Sequence, residues 1–174
     1  MAGPFGAIDR RRVLQIVVAA ACCGTASQAE SGRSPVQSID QITDVNATAA
    51  TGMFRFAPDL VVADPGAEVA FLNSRGEHTV HSVPQLWPDG VPKVGISNQK
   101  EALVRLPKAG LYGFRCKRHG QYGMVMLVVA GDGGSYNGGD LNGVAAKIEE
   151  MRASAREKQA FAELIARYET SKPS

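Results

Sequence analysis

Between residues 36 and 130 the chain alternates apolar and polar positions in short runs separated by turn chemistry. In "AEVAFLN" (67–73), Val69 and Phe71 fall on one face and Glu68 on the other, which is the two-residue period of a half-buried strand. Pro65-Gly66 supplies the turn before it. "EALVRL" (101–106) alternates through Ala102, Val104 and Leu106, and a turn over Pro107 to Gly110 leads into "LYGFR". "MVMLVVA" (124–130) is nearly continuous in apolar character, the pattern of a strand inside a sandwich core. With further strands expected at 38–45, 53–62 and 78–83, the total is about seven or eight. Short strands in that number predict a mainly β protein, an antiparallel Greek-key β-sandwich.

The period changes after "GDGGSYNGGD" (131–140), a glycine-rich linker. Val144, Ile148 and Met151 recur at helical spacing, as do Phe161, Leu164, Ile165 and Tyr168. Ser154 followed three residues later by Glu157 has the form of a capping box, which places a break near 153–155 and predicts two short amphipathic helices. Each needs a partner surface for its apolar stripe, so both are expected to pack on the sandwich or on each other. The resulting organisation is an export signal over 1–29, a sandwich domain over 30–132, and a linker with C-terminal helices over 133–174.

The amino terminus supports the first of these divisions. "RRR" at 10–12 precedes "VLQIVVAAACC" and then the small residues "GTASQA", an apolar run too short to span a bilayer but suited to a cleavable signal. "DRRRVLQ" fits a twin-arginine arrangement with Arg10 and Arg11 as the pair, and the general secretory route is the alternative. Cleavage is expected after Ala29. A lipoprotein processed at Cys22 is disfavoured because Ala19 to Ala21 make a poor lipid-attachment box. The mature chain is then periplasmic, with no stable membrane insertion.

Composition matters mainly through cysteine. The 174 residues are 44% hydrophobic and 21% charged, ordinary for a globular domain. Cleavage removes Cys22 and Cys23 and leaves Cys116 alone. Exported proteins usually pair their thiols, so a single one points to intermolecular bonding or to another chemical task. Net charge is uninformative, since the +2 of the whole chain falls to zero without Asp9 and Arg10 to Arg12. Its distribution says more: residues 91–118 carry seven basic side chains against Glu101, whereas 36–68 carry five acids against Arg55. No phosphate-binding glycine loop, internal repeat or nucleic-acid platform is present.

Cys116, His119 and Met124 stand in "CKRHGQYGM" at C-x2-H-x4-M, directly before the apolar strand. A loop of that length between two strands can turn a thiol, an imidazole and a thioether toward one point. Such soft to borderline donors favour copper. Zinc would accept a Cys and two His with water in the fourth position, but Met is a poor zinc ligand and no carboxylate is placed as a general base, Glu77 being the nearest in sequence. A fourth donor has to come from "GEHTVHS", which offers His78 and His81. These differ by an odd number of positions, so in an extended strand they point to opposite faces and only one can serve. Met53 and Met126 read as packing residues.

The stretch from "FRFAPDLVVADPGAEVAFLN" through "GEHTVHSVPQLWPDG" to "YGFRCKRHGQYGMVMLVVAGD", followed by two helices, resembles the pseudoazurins, bacterial cupredoxins with one type 1 copper ion. The resemblance covers nearly all of the mature chain. It implies that the upstream ligand is the His ten residues before the "PDG" turn, which is His78, with Cys116, His119 and Met124 completing the metal set. It further implies a monomeric electron carrier rather than an enzyme. Its partners would be redox proteins with acidic surfaces, copper nitrite reductase or a c-type cytochrome, met through basic residues such as Arg115, Lys117 and Arg118. A copper storage or delivery protein with exchangeable metal is the rival function, and a metal-free interaction domain a third. Three positions depart from the family pattern. Thr79 replaces an Asn that ties the two ligand-bearing loops, Arg118 stands where a Pro precedes the second His, and no aromatic adjoins His119.

Overall fold

A computed structural model describes residues 37–131 and 141–171; the expected signal, Cys22, Cys23 and most of the glycine-rich linker lie outside these. The described residues form nine strands and two α-helices. The strands are β1 (Gln37–Thr43), β2 (Phe54–Ala57), β3 (Leu60–Ala63), β4 (Glu68–Ser74), β5 (Val80–Ser82), β6 (Gly95–Ile96), β7 (Gln99–Arg105), β8 (Gly110–Arg115) and β9 (Val125–Ala130). The helices are α1 (Leu141–Glu149) and α2 (Ala155–Thr170).

One sheet runs β2-β1-β4-β7 and the other β3-β9-β8-β5-β6. The expectation of a purely antiparallel sandwich is corrected at two pairs. β1 lies parallel to β4, and β3 lies parallel to β9. The second involves the segment expected as one strand over 53–62. Pro58 cannot donate to a ladder, and the chain there leaves β2 in the first sheet and enters the second as β3. β6, two residues long, is too short to show a period.

The core between the sheets contains Ile39, Phe56, Val69, Phe71 and Val104 from one side and Val61, Tyr112, Phe114, Met126 and Val128 from the other. A second cluster joins Leu111, Val125, Leu127 and Val129 to Ile148, Phe161, Leu164 and Tyr168 of the helices. β9 therefore sends Met126 and Val128 into the sandwich and Val125, Leu127 and Val129 toward the helices, so both of its faces are buried. That double burial accounts for its unbroken apolar run.

The break between the helices falls where expected. Ser154 caps α2, its Oγ accepting from the Glu157 N–H at 3.1 Å. The Glu157 carboxylate does not return to the cap, however. It pairs with Arg115 of β8 at 3.0 Å. At the other end of α2, Arg167 reaches Asp59 at 2.6 Å and ties the helix to the β2–β3 turn.

Candidate metal centre

The hairpin of β8 and β9 builds most of the site. Its register ends with Arg115 opposite Val125, and one further step closes it, the Cys116 N–H donating to the Met124 carbonyl at 3.1 Å. Between them the loop folds on itself. Gly120 N–H donates to Cys116 O at 2.8 Å and Met124 N–H to His119 O at 3.2 Å, around a 3-10 turn over Gly120–Tyr122. Gly123 ends that turn at φ 92°, in the left-handed region where a side chain is disfavoured. The result places Cys116 and Met124, both fully buried, opposite each other at the base of the loop.

His78 arrives from the link between β4 and β5. Its backbone N–H donates to Arg75 O at 3.2 Å, and its Nε2 lies 2.9 Å from Thr43 Oγ1 at the end of β1. That contact leaves Nδ1 buried with no hydrogen-bond partner. One ring nitrogen from each of His78 and His119 and the Cys116 sulfur all lie within 4.8 Å of one another, with Cys116 Sγ 3.8 Å from His119 Nδ1. His81 is not in this cluster. It sits on β5 opposite Arg115 and Gly95, whereas His78 precedes the strand.

The electrostatics suit a bound cation. Burial works to raise the Cys116 thiol, but the His78 ring and the backbone N–H groups of His119, Thr79 and Arg118 outweigh it and bring the thiol from 9.0 to about 7. Burial, then the neighbouring His78 and Arg118, lower His119, against an opposing pull from Glu77. Its imidazole is thus kept neutral, as ligation requires. A thiol lowered toward ionisation, a neutral His119 ring and a buried, unsatisfied His78 Nδ1 are what a soft metal ion would complete, and no carboxylate of the described residues joins the cluster.

Two of the departures from the family pattern have structural counterparts. Thr79 Oγ1 accepts from Lys117 N–H at 3.0 Å and lies 3.8 Å from Cys116 Sγ, so a threonine links the two ligand-bearing segments. The aromatic missing beside His119 is supplied from β2. The Phe54 ring stacks on the imidazole, centroids 3.7 Å apart and planes within 2°. Phe54 and Thr43 are the functional neighbours that sequence reasoning missed. Neither lies near a ligand along the chain, and the only available signal was their position at strand ends. His119 and His78 are buried to the same degree, 8% and 9% exposed. The Phe54 ring covers one face of His119.

Residues 43–131 match the copper-binding proteins of the plastocyanin/azurin family. A pseudoazurin of Methylorubrum extorquens is 42% identical over 81 residues, 47% of this chain and 55% of that protein, so the match spans little more than half of the relative. A pseudoazurin of Paracoccus pantotrophus is 32% identical over 108 residues, 62% of this chain and 70% of that one. The crystal structure of native pseudoazurin from Hyphomicrobium denitrificans superposes with a TM-score of 0.60 at 27% identity, covering 76% of this chain and 98% of its own. The chain therefore belongs to the copper-binding plastocyanin/azurin family, among its pseudoazurins.

Proposed function

We propose that this protein is a soluble, exported carrier of single electrons whose type 1 copper is held by His78, Cys116, His119 and Met124. The family is one of electron-transfer proteins, not enzymes. The observation that carries the ligand assignment is the convergence of two imidazoles and one thiol within 4.8 Å; Met124 is buried and its backbone is bonded to that of Cys116 and His119. Copper bound by such a donor set supplies a one-electron couple. The chain's own contribution is geometric. Loop hydrogen bonds fix Cys116 and Met124, Thr43 and Phe54 fix the two rings, and Thr79 ties the segments together. A framework that holds its donors in advance keeps rearrangement between oxidation states small.

Only the two imidazoles among the four ligands reach the surface, so an imidazole edge is the exit for the electron. Lys117, Arg118 and Tyr122 are exposed around His119, which makes that edge the docking side. Acidic redox proteins are the partners this charge favours, and the family resemblance names copper nitrite reductase or a c-type cytochrome. Residues 1–29 act as the export signal, cleaved after Ala29, by the twin-arginine or general secretory route, and the mature protein is a periplasmic monomer. Among the described residues no helix is long and apolar enough to cross a membrane.

Buried ligands in a rigid hairpin favour retention over storage or delivery. Challenge of the copper-loaded, reduced protein with a competing chelator separates these readings. Retention with fast electron self-exchange is expected, and rapid loss of metal would favour delivery.

A further inference from the structure

The start of α2 lies against the ligand loop over Gly120–Gly123. Ser154 Oγ, while accepting from Glu157 N–H, donates to Gln121 O at 2.9 Å. Glu157 is 1% exposed, and its carboxylate sits between Arg115, the residue before Cys116, and Gly120, the residue after His119. A Cβ placed on Gly120 would stand 3.4 Å from Glu157 Oε2 and 3.5 Å from Arg115 Nε, so the ion pair lies against this face of the loop at a distance that a side chain there would just fill. Arg156 packs on Gly123, where a Cβ would meet its Nε at 3.2 Å.

The energetics make a purely stabilising role a poor explanation. A buried carboxylate is costly to desolvate, and an apolar residue of similar size often serves stability as well or better. Here burial does raise the Glu157 carboxyl, with Arg115 opposing it. The capping box would have let this side chain fold back onto its own helix terminus. Instead it reaches across to the loop.

We propose that Glu157 is a positioning residue for the metal centre: through Arg115 and Gly120, and with Ser154 on Gln121, it clamps the Cys116–Met124 loop and so sets the placement of His119 and Met124. This rests on the copper reading above. The clamp acts on ligand geometry, so its loss alters the metal's spectroscopic signature and release, which a residue serving only helix docking would leave alone.

The test compares copper-loaded wild type with Glu157→Gln, Ser154→Ala and, as a docking control at the far end of α2, Arg167→Met. The readouts are the intensity ratio of the two thiolate-to-copper absorption bands, the rhombicity of the Cu(II) electron paramagnetic resonance spectrum, and copper release from the reduced form to a chelator. Glu157→Gln is expected to shift the ratio and rhombicity and to speed release about tenfold, the lower range for a residue behind a metal ligand. Ser154→Ala is expected to move both in the same direction by less, and it reports on the clamp should the buried substitution fail to fold. Arg167→Met is expected to lower the melting temperature with unchanged spectra. Spectra and release that match wild type in both clamp variants would overturn the proposal, as would equal spectral changes in Arg167→Met. If wild type itself shows no intense visible band with copper, the copper reading has failed and the clamp falls with it.

Discussion

Phe54 shows how a single residue can alter a site without touching the ion. Its ring lies flat on His119 and within 6.4 Å of the His78 centroid, so it restrains one ligand and shields it from water. Replacing it by leucine keeps apolar cover and removes the stack. The expected cost is about 1 kcal/mol of stability, with a measurable change in reduction potential at unchanged copper stoichiometry. An identical potential would mean that the ring only fills space. Cys116 gives a pH dependence. In the copper-free protein its thiol, at about 7 rather than 9.0, binds fewer protons folded than unfolded, so stability rises with pH across that window and is lost as pH falls through about 7. His119, lowered by burial, acts in the same sense below its ordinary 6.5. Thermal unfolding of the copper-free protein between about pH 7 and 9 should show a steady gain; a flat or falling trend there would contradict the assignment. At this scale Cys116, His119 and Met124 were legible as candidates because they share one loop, and His78 through resemblance; the structure groups His78, Cys116 and His119. Phe54, Thr43 and the Glu157 pairing were not legible, since each acts through tertiary contact with a residue far along the chain.

Among the elements, β9 and α2 carry the architecture around the metal. β9 fixes Met124 at its entrance and is buried on both faces, while α2 covers the outer face through Phe161, which is fully buried. Phe161→Ala is expected to cost roughly 3–5 kcal/mol, the range for truncating a buried aromatic, measured by urea denaturation. A cost well under that would mean that the helix docks loosely. The alternations of β4 and β7 and the helical period of α2 were readable because each faces a single apolar layer. Residues 53–62 misled because the apolar run passes through Pro58 without any visible break in period, although the chain changes sheet there. The mixed strand directions were illegible for a related reason: pairing partners such as Leu60 and Leu127 are chosen by the whole fold, not by local pattern.

For the molecule as a whole, exposed basic residues flank His119. Arg115 is engaged by Glu157, so the positive rim beside His119 is narrower than the sequence suggested and rests on exposed Lys117 and Arg118. Reversing both to glutamate should slow electron transfer to an acidic redox protein about tenfold at low salt and flatten its salt dependence. Stopped-flow rates that do not change would remove steering from the mechanism. The claim on which all of this depends is that four side chains from two segments bind one copper ion through the thiolate of Cys116. Titration of the metal-free protein with Cu(II), followed by visible absorption, measures it directly. The predicted result is an intense band that saturates at one copper per chain, bleaches with a mild reductant, returns on reoxidation and is absent in Cys116→Ser. A weak or absent band, or one that survives loss of that sulfur, would contradict it.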